Sequence, residues 1–370
     1  MSIIIFIIVL VILILVHEVG HFVSAKKSGI RVDEFGIGFP PKILAKKIGE
    51  TIYSLNLIPF GGFVKIFGEN PDEESISGID SKRSFVNKPK KIQALVIVAG
   101  VVCNVLLAFV LFIGGFMIGM PMSENDPLVT ESNYKISDAK LTIVEVLSKT
   151  PADTVGLKAG DEILSVATKN DNIDILNASN IADFMNLHIG EEVAIIYARE
   201  GEVLLSEVIP ENNIVPDEPK RGAIGISMGM IGVLKLPIHK AVIESFNLTV
   251  GMTYAIALAL GGFLANAIML NADLSQIAGP VGIVGLVGDA AALGFVTLLN
   301  FTAIISIHLA IINLLPFPAL DGGRLIVILI EAIKKSPIKI KIINTVNTIG
   351  FALLILLMLV VTYSDIIKLF

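Results

Sequence analysis

Cysteine is almost absent from this sequence. A single cysteine, Cys103, among 370 residues excludes a disulfide framework and a cysteine-based zinc cage. An excess of basic residues is also missing: the net charge is −6, so the composition does not favour nucleic acid as a partner. Residues 1–10 contain no Lys or Arg, and no small-residue cleavage site follows, so a cleaved signal peptide is not expected. The N-terminus is therefore predicted to be a retained membrane span that starts outside the cell.

Apolar residues, by contrast, dominate the chain. Hydrophobic residues make up 54% of the sequence, and the mean hydropathy is +0.80, well above that of an ordinary soluble domain. A helix needs about 20 apolar residues to cross the hydrocarbon of a bilayer. Stretches of that length lie at residues 3–25, 92–120, 290–315 and 342–363. The sequence thus predicts a polytopic α-helical membrane protein with about four spans.

The distribution of Lys and Arg predicts the topology, because these residues are enriched on the cytoplasmic side of a membrane. Twelve of them lie between residues 26 and 91, and five more lie between residues 324 and 341. Both segments are therefore expected in the cytoplasm. The long segment 121–240 is rich in acidic residues and is expected outside.

Residues 130–235 read as one extracytoplasmic domain. The segment around Leu141 to Val146 alternates apolar and polar residues, as a strand does, and a second strand is expected at 162–166. "IADFMNL" has helical spacing, and "EEVAIIYAREGEVLLSEVIP" predicts a hairpin that turns at 200–201. "GLKAGDEIL" and this order of elements resemble a PDZ domain, a fold that binds extended peptides at a sheet edge. A generic small α+β domain is the alternative.

The cytoplasmic segment 29–91 contains an unusually apolar stretch, "TIYSLNLIPFGGFVKIFGE". Its two strand-like runs flank residues 59–62, Pro-Phe-Gly-Gly, which is a hairpin signal. A stretch this apolar is unusual in a solvated loop. It predicts a membrane-associated β-hairpin beside the first span.

The motif H-E-x-x-H lies inside the first span, at residues 17–21. His17 and His21 are four residues apart, so they share one helix face and are close enough to bind one metal ion. Imidazole nitrogen suits zinc, and Glu18 is placed to act as the general base of a hydrolase. Two satisfied core histidines are the alternative, although polar groups in a span are costly and by default functional.

A catalytic zinc site usually has three protein ligands, so a third ligand is expected from another span. "INLLPFPALDGGRL" offers Asp321, in a segment whose prolines at 316 and 318 break the preceding helix. Irregular backbone at membrane depth is tolerated only where protein or a cavity surrounds it. Asp321 is therefore the predicted third ligand, and a role as the N-cap of the next helix is compatible with that.

"HEVGH", "NLLPFPALDGG" and the PDZ-like domain between them resemble the bacterial site-2 proteases, which are zinc intramembrane proteases. "EFGIGFPPKI", "IPFGGFVKIFGE", "AGVVCN" and "GPVGIV" extend the resemblance over nearly the whole chain. The resemblance implies that Zn²⁺ is bound by His17, His21 and Asp321, that Glu18 is the catalytic base, and that Asn313 binds the substrate backbone. It further implies that the apolar hairpin holds the substrate as an added strand, through residues Gly61, Gly62, Phe63 and Val64.

The same resemblance implies a location in the bacterial cytoplasmic membrane, with the N-terminus and the PDZ-like domain outside. The implied substrates are single-span membrane proteins, such as anti-sigma factors and signal-peptide remnants, with peptide C-termini as possible ligands of the PDZ-like domain. Two departures stand out. Val101 replaces a proline that the family usually has, which affects only the shape of the second span. His308 replaces a usual asparagine, either as a substitute hydrogen-bonding group or as an extra polar group near the metal.

A fifth apolar stretch, 241–270, carries Glu244, Asn247 and Asn266. If it crossed the membrane once, the next span would deliver Asp321 to the side opposite the histidines. It is therefore expected to be an interfacial or re-entrant segment. The predicted organisation is as follows: a first span at 1–28, a cytoplasmic loop with a β-hairpin at 29–91, a second span at 92–120, the PDZ-like domain at 130–235, the non-crossing segment at 238–289, a third span with the Asp321 motif at 290–325 and a fourth span at 342–364.

Two other classes of protein share part of this pattern. Intramembrane His and Asp also build ion paths, so a membrane ion transporter is one alternative, although the inverted repeat expected of one is missing. The other is a non-catalytic scaffold that binds peptides through its PDZ-like domain. The intact Glu18 favours the enzyme over the scaffold.

Overall fold

A computed structural model describes residues 1–70, 73–132, 134–147, 149–199, 201–214, 220–269 and 279–369. The chain divides into two compact units. The first, called the helical unit here, comprises Met1–Gly115 and Ile238–Phe370, and the second, called the α+β unit, comprises Phe116–Pro237. The predicted domain at 130–235 therefore begins about a dozen residues earlier than expected, because a strand at Met120 joins its sheet.

The elements of both units follow in chain order. The helices are α1 (Ser2–Lys27), α2 (Glu73–Ser77), α3 (Lys90–Ile118), α4 (Pro127–Glu131), α5 (Pro151–Thr154), α6 (Ala178–Leu187), α7 (Ile238–Ile268), α8 (Pro280–Ala292), α9 (Phe295–Leu314), α10 (Asp321–Lys334) and α11 (Ile340–Leu369), with a 3₁₀ turn at Ser81–Arg83. The strands are β1 (Val32–Ile48), β2 (Thr51–Ile66), β3 (Met120–Ser123), β4 (Ser137–Val146), β5 (Glu162–Ala167), β6 (Val193–Arg199), β7 (Glu202–Val208) and β8 (Ile226–Leu234).

Five helices in the described part of the chain are long and apolar enough to cross a membrane: α1, α3, α7, α9 and α11. Four of them correspond to the predicted spans. The third span was predicted to start at residue 290, which is wrong: α8 ends at Ala292 and α9 starts at Phe295. Gly294, a poor helix former, lies in the break between them.

The fifth apolar stretch forms α7, which is one continuous helix over 31 residues. No break is present between Ile238 and Ile268, so any reversal within the predicted segment 238–289 lies after Ile268. That this segment is interfacial or re-entrant and does not cross the membrane stays a prediction.

Contacts between the long helices give their directions. Gly20 on α1 packs against Ala99 and Gly100 on α3, and Nδ1 of His21 lies 2.9 Å from the carbonyl oxygen of Val96. Higher numbers on α1 thus meet lower numbers on α3, so these two helices are antiparallel. The two ends of the helical unit are named after the ends of α1, the Ser2 end and the Lys27 end.

The helix α9 runs in the same direction as α1. Ser306 on α9 donates a hydrogen bond to the carbonyl oxygen of Asn104 on α3, at 2.8 Å. Asn313, two turns later, lies beside His17. The C-terminal end of α9 therefore lies toward the Lys27 end, where α10 begins.

The strands β1 and β2 form a hairpin that turns at 49–50, and their pairing differs from the prediction. Residues 34–37 pair with 62–65 on one side and with 52–55 on the other. The two runs that flank 59–62 are therefore not partners of each other, as was expected. Both pair with β1, which the sequence analysis did not identify as a strand because its two prolines resemble breakers. Residues 62–65 pair only with β1, so they form an edge of this sheet.

The α+β unit has a six-stranded sheet in the order β3-β8-β4-β5-β6-β7. The strands predicted at 141–146 and 162–166, the helix at "IADFMNL" and the hairpin of β6 with β7 are all present; Glu200 at the hairpin turn lies outside the described residues. Asn177 caps α6 by accepting a hydrogen bond from the backbone NH of Asn180, at 2.8 Å. An apolar core lies between α6 and the sheet, with Ile143, Ile181 and Ile195 almost fully buried. The predicted α+β domain is confirmed.

Candidate metal centre

Three side chains with metal-binding atoms converge in the helical unit. The Nε2 atoms of His17 and His21 on α1 are 3.1 Å apart, and each of these residues is only 7% exposed. The carboxylate of Asp321 approaches both: its Oδ2 lies 3.1 Å from Nε2 of His17 and 3.2 Å from Nε2 of His21. The structure therefore brings together the three residues that were predicted from two distant segments of the chain.

Asp321 reaches the histidines because the chain turns sharply between α9 and α10. The helix α9 ends at Leu314, and Phe317 donates a hydrogen bond to the carbonyl oxygen of Leu315. Asp321 is then the first residue of α10. A Cβ at the next residue, Gly322, would overlap the carbonyl oxygen of Leu315, so the turn packs tightly only against glycine. The interruption between α9 and α10, which was predicted from the prolines, thus places Asp321 beside the histidines.

Gly100 on α3 closes the opposite side of the cluster. A Cβ at Gly100 would lie 2.5 Å from Nε2 of His21 and 2.8 Å from Cε1 of His17. Any larger residue would displace both rings. The sequence analysis did not single out Gly100. Its signal was the segment "AGVVCN", which contains it, but its position opposite α1 becomes visible only in the fold.

The geometry of the cluster fits a zinc ion. Nδ1 of His21 faces a carbonyl oxygen, so Nδ1 carries the proton and Nε2 presents a lone pair toward His17 and Asp321. Oδ2 of Asp321 is buried and makes no hydrogen bond. Tetrahedral ligands about 2.0–2.1 Å from zinc are about 3.3 Å from each other, close to the observed 3.1–3.2 Å. Three ligand atoms at this spacing, with their lone pairs directed at one another, would bind a cation such as zinc between them.

Glu18 lies between this cluster and the edge of the β1–β2 sheet. It is half-buried, and its Cγ lies 3.5 Å from the position of a Cβ at Gly62. Gly62 belongs to the edge row 62–65, which also includes Phe63 and Val64. The side chain of Val64 packs against the apolar core of the helical unit, whereas Gly61 lies against the ring of Phe39. The edge of the sheet is thus next to the predicted catalytic base.

The two polar positions of α9 differ in their surroundings. The Nδ2 atom of Asn313 is 3.5 Å from Nε2 of His17, so Asn313 borders the cluster. His308 is exposed, and its Nδ1 lies 2.9 Å from the carbonyl oxygen of Ile304 in its own helix. Among the described residues the candidate metal cluster contains only His17, His21 and Asp321. His308 is therefore not an additional member of it.

Ion pairs hold α10 in place around Asp321. Arg324, one turn after Asp321, contacts Oε1 of Glu69 at 2.5 Å and also donates to the backbone carbonyl oxygen of Glu69. Glu331 accepts from Lys90 on α3, at 2.6 Å, and from the backbone NH of Ile338, at 2.9 Å. The helix that carries Asp321 is thus tied to the segment after β2 and to the start of α3.

Comparisons with known proteins agree with this site. The model of peptidase family M50 matches residues 5–357. A protein of Clostridium perfringens whose name places it among the zinc metalloproteases is 37% identical over 355 residues, which cover 96% of this chain and 95% of that protein. The zinc metalloprotease RasP of Shouchella clausii is 30% identical over 99% of this chain and 98% of its own length.

Two further similarities are weaker in identity or narrower in extent. The regulator of sigma-W protease RasP of Bacillus subtilis is 29% identical and covers 100% of this chain and 99% of its own length. The PDZ domain of an SdrC-like protein from Listeria monocytogenes matches 25% of this chain and 92% of its own, with 20% identity and a TM-score of 0.21. With a family model that covers nearly the whole chain, the predicted resemblance to site-2 proteases is confirmed, and the transporter and the scaffold are excluded: the chain belongs to peptidase family M50 and is a multi-pass zinc metalloendopeptidase of the membrane.

Proposed function

We propose that His17, His21 and Asp321 hold the zinc ion and that Glu18 is the catalytic base. The observation that supports this most directly is the convergence of three ligand atoms within 4.8 Å of one another, with Glu18 and the sheet edge alongside. A zinc ion bound there supplies Lewis-acid chemistry, which polarises a peptide carbonyl and acidifies water. The reaction is the hydrolysis of a peptide bond within a membrane-spanning segment.

Proton transfer and substrate positioning are the roles proposed for the residues around the metal cluster. Glu18 takes a proton from the attacking water and later gives it to the leaving amine. Gly62, without a side chain, lets the edge of the sheet lie close to Glu18. A substrate that adds to the edge row 62–65 as an extended strand has its helix unwound, which exposes the carbonyl to attack. Asn313 is placed to donate a hydrogen bond to the substrate backbone beside His17.

Replacement of the base tests this assignment. The Glu18→Gln variant is expected to retain zinc, because the three ligands are intact, and to lose cleavage, because the amide cannot accept the proton. Zinc content and cleavage of a single-span substrate in detergent are the measurements. His17→Ala and Asp321→Ala are the matched variants, and both are expected to lose zinc as well. Full cleavage by the Glu18→Gln variant would overturn the assignment.

The proposed substrates are single-span membrane proteins. The name of the Bacillus subtilis relative, regulator of sigma-W protease, supports anti-sigma factors as one class, and signal-peptide remnants are a second. Trapping by the Glu18→Gln variant, followed by identification of the bound membrane proteins, would distinguish these classes.

We further propose that the Lys27 end of the helical unit faces the cytoplasm and that the N-terminus and the PDZ-like domain are extracytoplasmic. The basic residues support this, since Lys26, Lys27 and Lys90 all lie at that end. The metal cluster then lies nearer the cytoplasmic side of the bilayer.

The α+β unit is proposed to receive peptide C-termini. A cavity of about 270 Å³ lies between α6 and the start of β8, and Ile181, Met185, Arg221 and Met228 are among the residues that line it. In the described chain, β3 pairs with residues 231–234 of β8. Residues 226–229 of β8 therefore have a strand partner on one side only, which is β4. The apolar side chain of a peptide's C-terminal residue would fit this cavity. The positive charge of Arg221 would attract the peptide's C-terminal carboxylate.

Peptide binding to the full-length chain tests that role. An apolar peptide with a free C-terminus is expected to bind more tightly than its C-terminal amide, because the amide has no charge for Arg221 to attract. Fluorescence anisotropy with labelled peptides measures the difference. Ala182→Phe is expected to weaken binding by filling the cavity. Equal binding of the acid and the amide would contradict the proposal.

A further inference from the structure

Two buried polar groups near the metal cluster have no hydrogen-bond partner. One is Nδ1 of His17, and the other is the side-chain amide of Asn104 on α3, whose nitrogen and oxygen are both unpaired. Asn104 is 0% exposed. Leaving a buried amide unpaired lowers the stability of a folded protein, so such a group calls for a functional reason.

The second histidine shows what His17 lacks. His21 has its Nδ1 at 2.9 Å from the carbonyl oxygen of Val96, and this contact fixes its ring and its tautomer. Histidines that bind metal almost always donate their second N–H to an acceptor in this way. His17 has no such acceptor within hydrogen-bond distance.

The α3 helix places Asn104 where that acceptor is needed. Val96, Gly100 and Asn104 are spaced four residues apart, so they form one stripe on the face of α3 that meets α1. Val96 serves His21, and Gly100 contacts both rings. Because α1 and α3 are antiparallel, the next position of the stripe, Asn104, lies on the His17 side.

The direction of the side chain agrees with this placement. Side chains on a helix lean toward its N-terminus, so the amide of Asn104 covers the turn that includes Gly100. Cε1 of His17, which is bonded to Nδ1, lies 2.8 Å from the position of a Cβ at Gly100. The two unpaired groups therefore lie within about one helical turn of each other.

We infer that Asn104 is a positioning residue whose side-chain oxygen accepts the Nδ1–H hydrogen bond of His17 through one bridging water molecule. The bond orients the His17 ring, so that its Nε2 lone pair points at the metal. This inference rests on the proposed function, since it requires His17 to be a metal ligand. It adds a residue outside the H-E-x-x-H and Asp321 motifs to the machinery of the site.

Zinc affinity of the full-length chain, measured by competition with a chelator, tests the inference. Asn104→Leu, which is close in size and apolar, is expected to weaken zinc binding about 10- to 100-fold, the usual effect of removing an outer-shell partner. Asn104→Asp keeps an acceptor and is expected to bind zinc nearly as tightly as the wild type. The control is Ser245→Ala, which removes another fully buried, unpaired polar atom from α7 and is expected to leave zinc affinity unchanged.

Thermal unfolding of the metal-free chain separates positioning from a purely structural role. Asn104→Leu is expected to leave the unfolding temperature equal or higher, because it removes an unpaired polar group from an apolar interior. Asn104→Ala makes the same zinc measurement possible if the leucine variant does not fold. Wild-type zinc affinity in the leucine or alanine variant, or an Asn104→Asp variant as weak as Asn104→Leu, would overturn the inference. A wild-type chain that binds no zinc would instead overturn the proposed function.

Discussion

At the residue scale, Gly100 determines how closely α3 can approach the two histidines. Its missing side chain leaves the space in which Nε2 of His21 and Cε1 of His17 lie. Gly114, on the same helix, has no atom within 4 Å of the position where a Cβ would be. The two glycines therefore make a matched pair, in which the same substitution probes the cluster in one case and an open surface in the other.

Gly100→Ala is expected to abolish or strongly weaken zinc binding, because the added methyl group would overlap Nε2 of His21. Gly114→Ala is expected to bind zinc normally and to be slightly more stable, by up to about 1 kcal/mol, since alanine favours a helix over glycine. Zinc content after purification and the unfolding temperature measure both effects. Normal zinc content in the Gly100→Ala variant would show that the cluster is not as tightly packed as described.

The convergence of His17, His21 and Asp321 was predictable from the sequence, whereas the packing around them was not. H-E-x-x-H needs only helical spacing, and Asp321 is marked by the prolines and glycines around it. Gly100 and Asn104 act through their position opposite α1. That position depends on how two helices are aligned, and no local pattern in either helix encodes the alignment.

At the element scale, the β1–β2 hairpin and α10 are joined by one ion pair. Arg324 of α10 contacts both the carboxylate and the backbone carbonyl oxygen of Glu69, which follows β2. The edge row 62–65 ends four residues before Glu69, and Asp321 lies three residues before Arg324. The pair therefore couples the proposed substrate strand to the proposed metal ligand.

Removal of this coupling should be measurable. Arg324→Ala is expected to lower the stability of the chain by about 2 kcal/mol, because the partly buried carboxylate of Glu69 loses charge-assisted hydrogen bonds. Thermal unfolding in detergent is the measurement. Lys334→Ala removes an exposed cation from the same helix and should have little effect. Equal unfolding temperatures for the two variants would argue against the coupling.

Prediction from sequence was least accurate for the same hairpin. The residues Pro59 to Gly62 resemble a turn, and residues 40–41, two prolines, resemble the end of a strand. In the structure both places lie inside long strands, where the chain changes partners. Partner exchange is a tertiary property, so turn chemistry alone gave the wrong pairing.

At the scale of the whole molecule, the helical unit shows where the chain returns after α7. The rings of Phe109 and Phe246 are 6.4 Å apart, which places the first part of α7 beside the later part of α3, toward the Ser2 end. At the start of α8, the backbone NH groups of Gly279 and Gly282 donate to Asp365 of α11, and Gly288 lies against Ser2. The first part of α7 and the later part of α8 therefore lie at the same end of the helical unit.

This return supports the prediction that α7 does not change the side of the membrane on which the chain continues. In a Cys103→Ser background, Leu293→Cys is expected to react with a membrane-impermeant reagent added from outside the cell. Lys334→Cys is expected to react only after the membrane is permeabilised. Labelling of intact cells and of permeabilised cells measures both. Reaction of the position 293 variant only after permeabilisation would mean that α7 crosses once.

The distance along the chain between the two halves of the metal cluster has a consequence for biosynthesis. His17 and His21 leave the ribosome about 300 residues before Asp321, an interval of roughly 15–60 s at 5–20 residues translated per second. During that interval the histidines are already in the membrane, next to other newly made proteins, without the proposed third ligand. With these three ligands, the order of synthesis delays the protease, because it becomes able to cut only after Asp321 has been made.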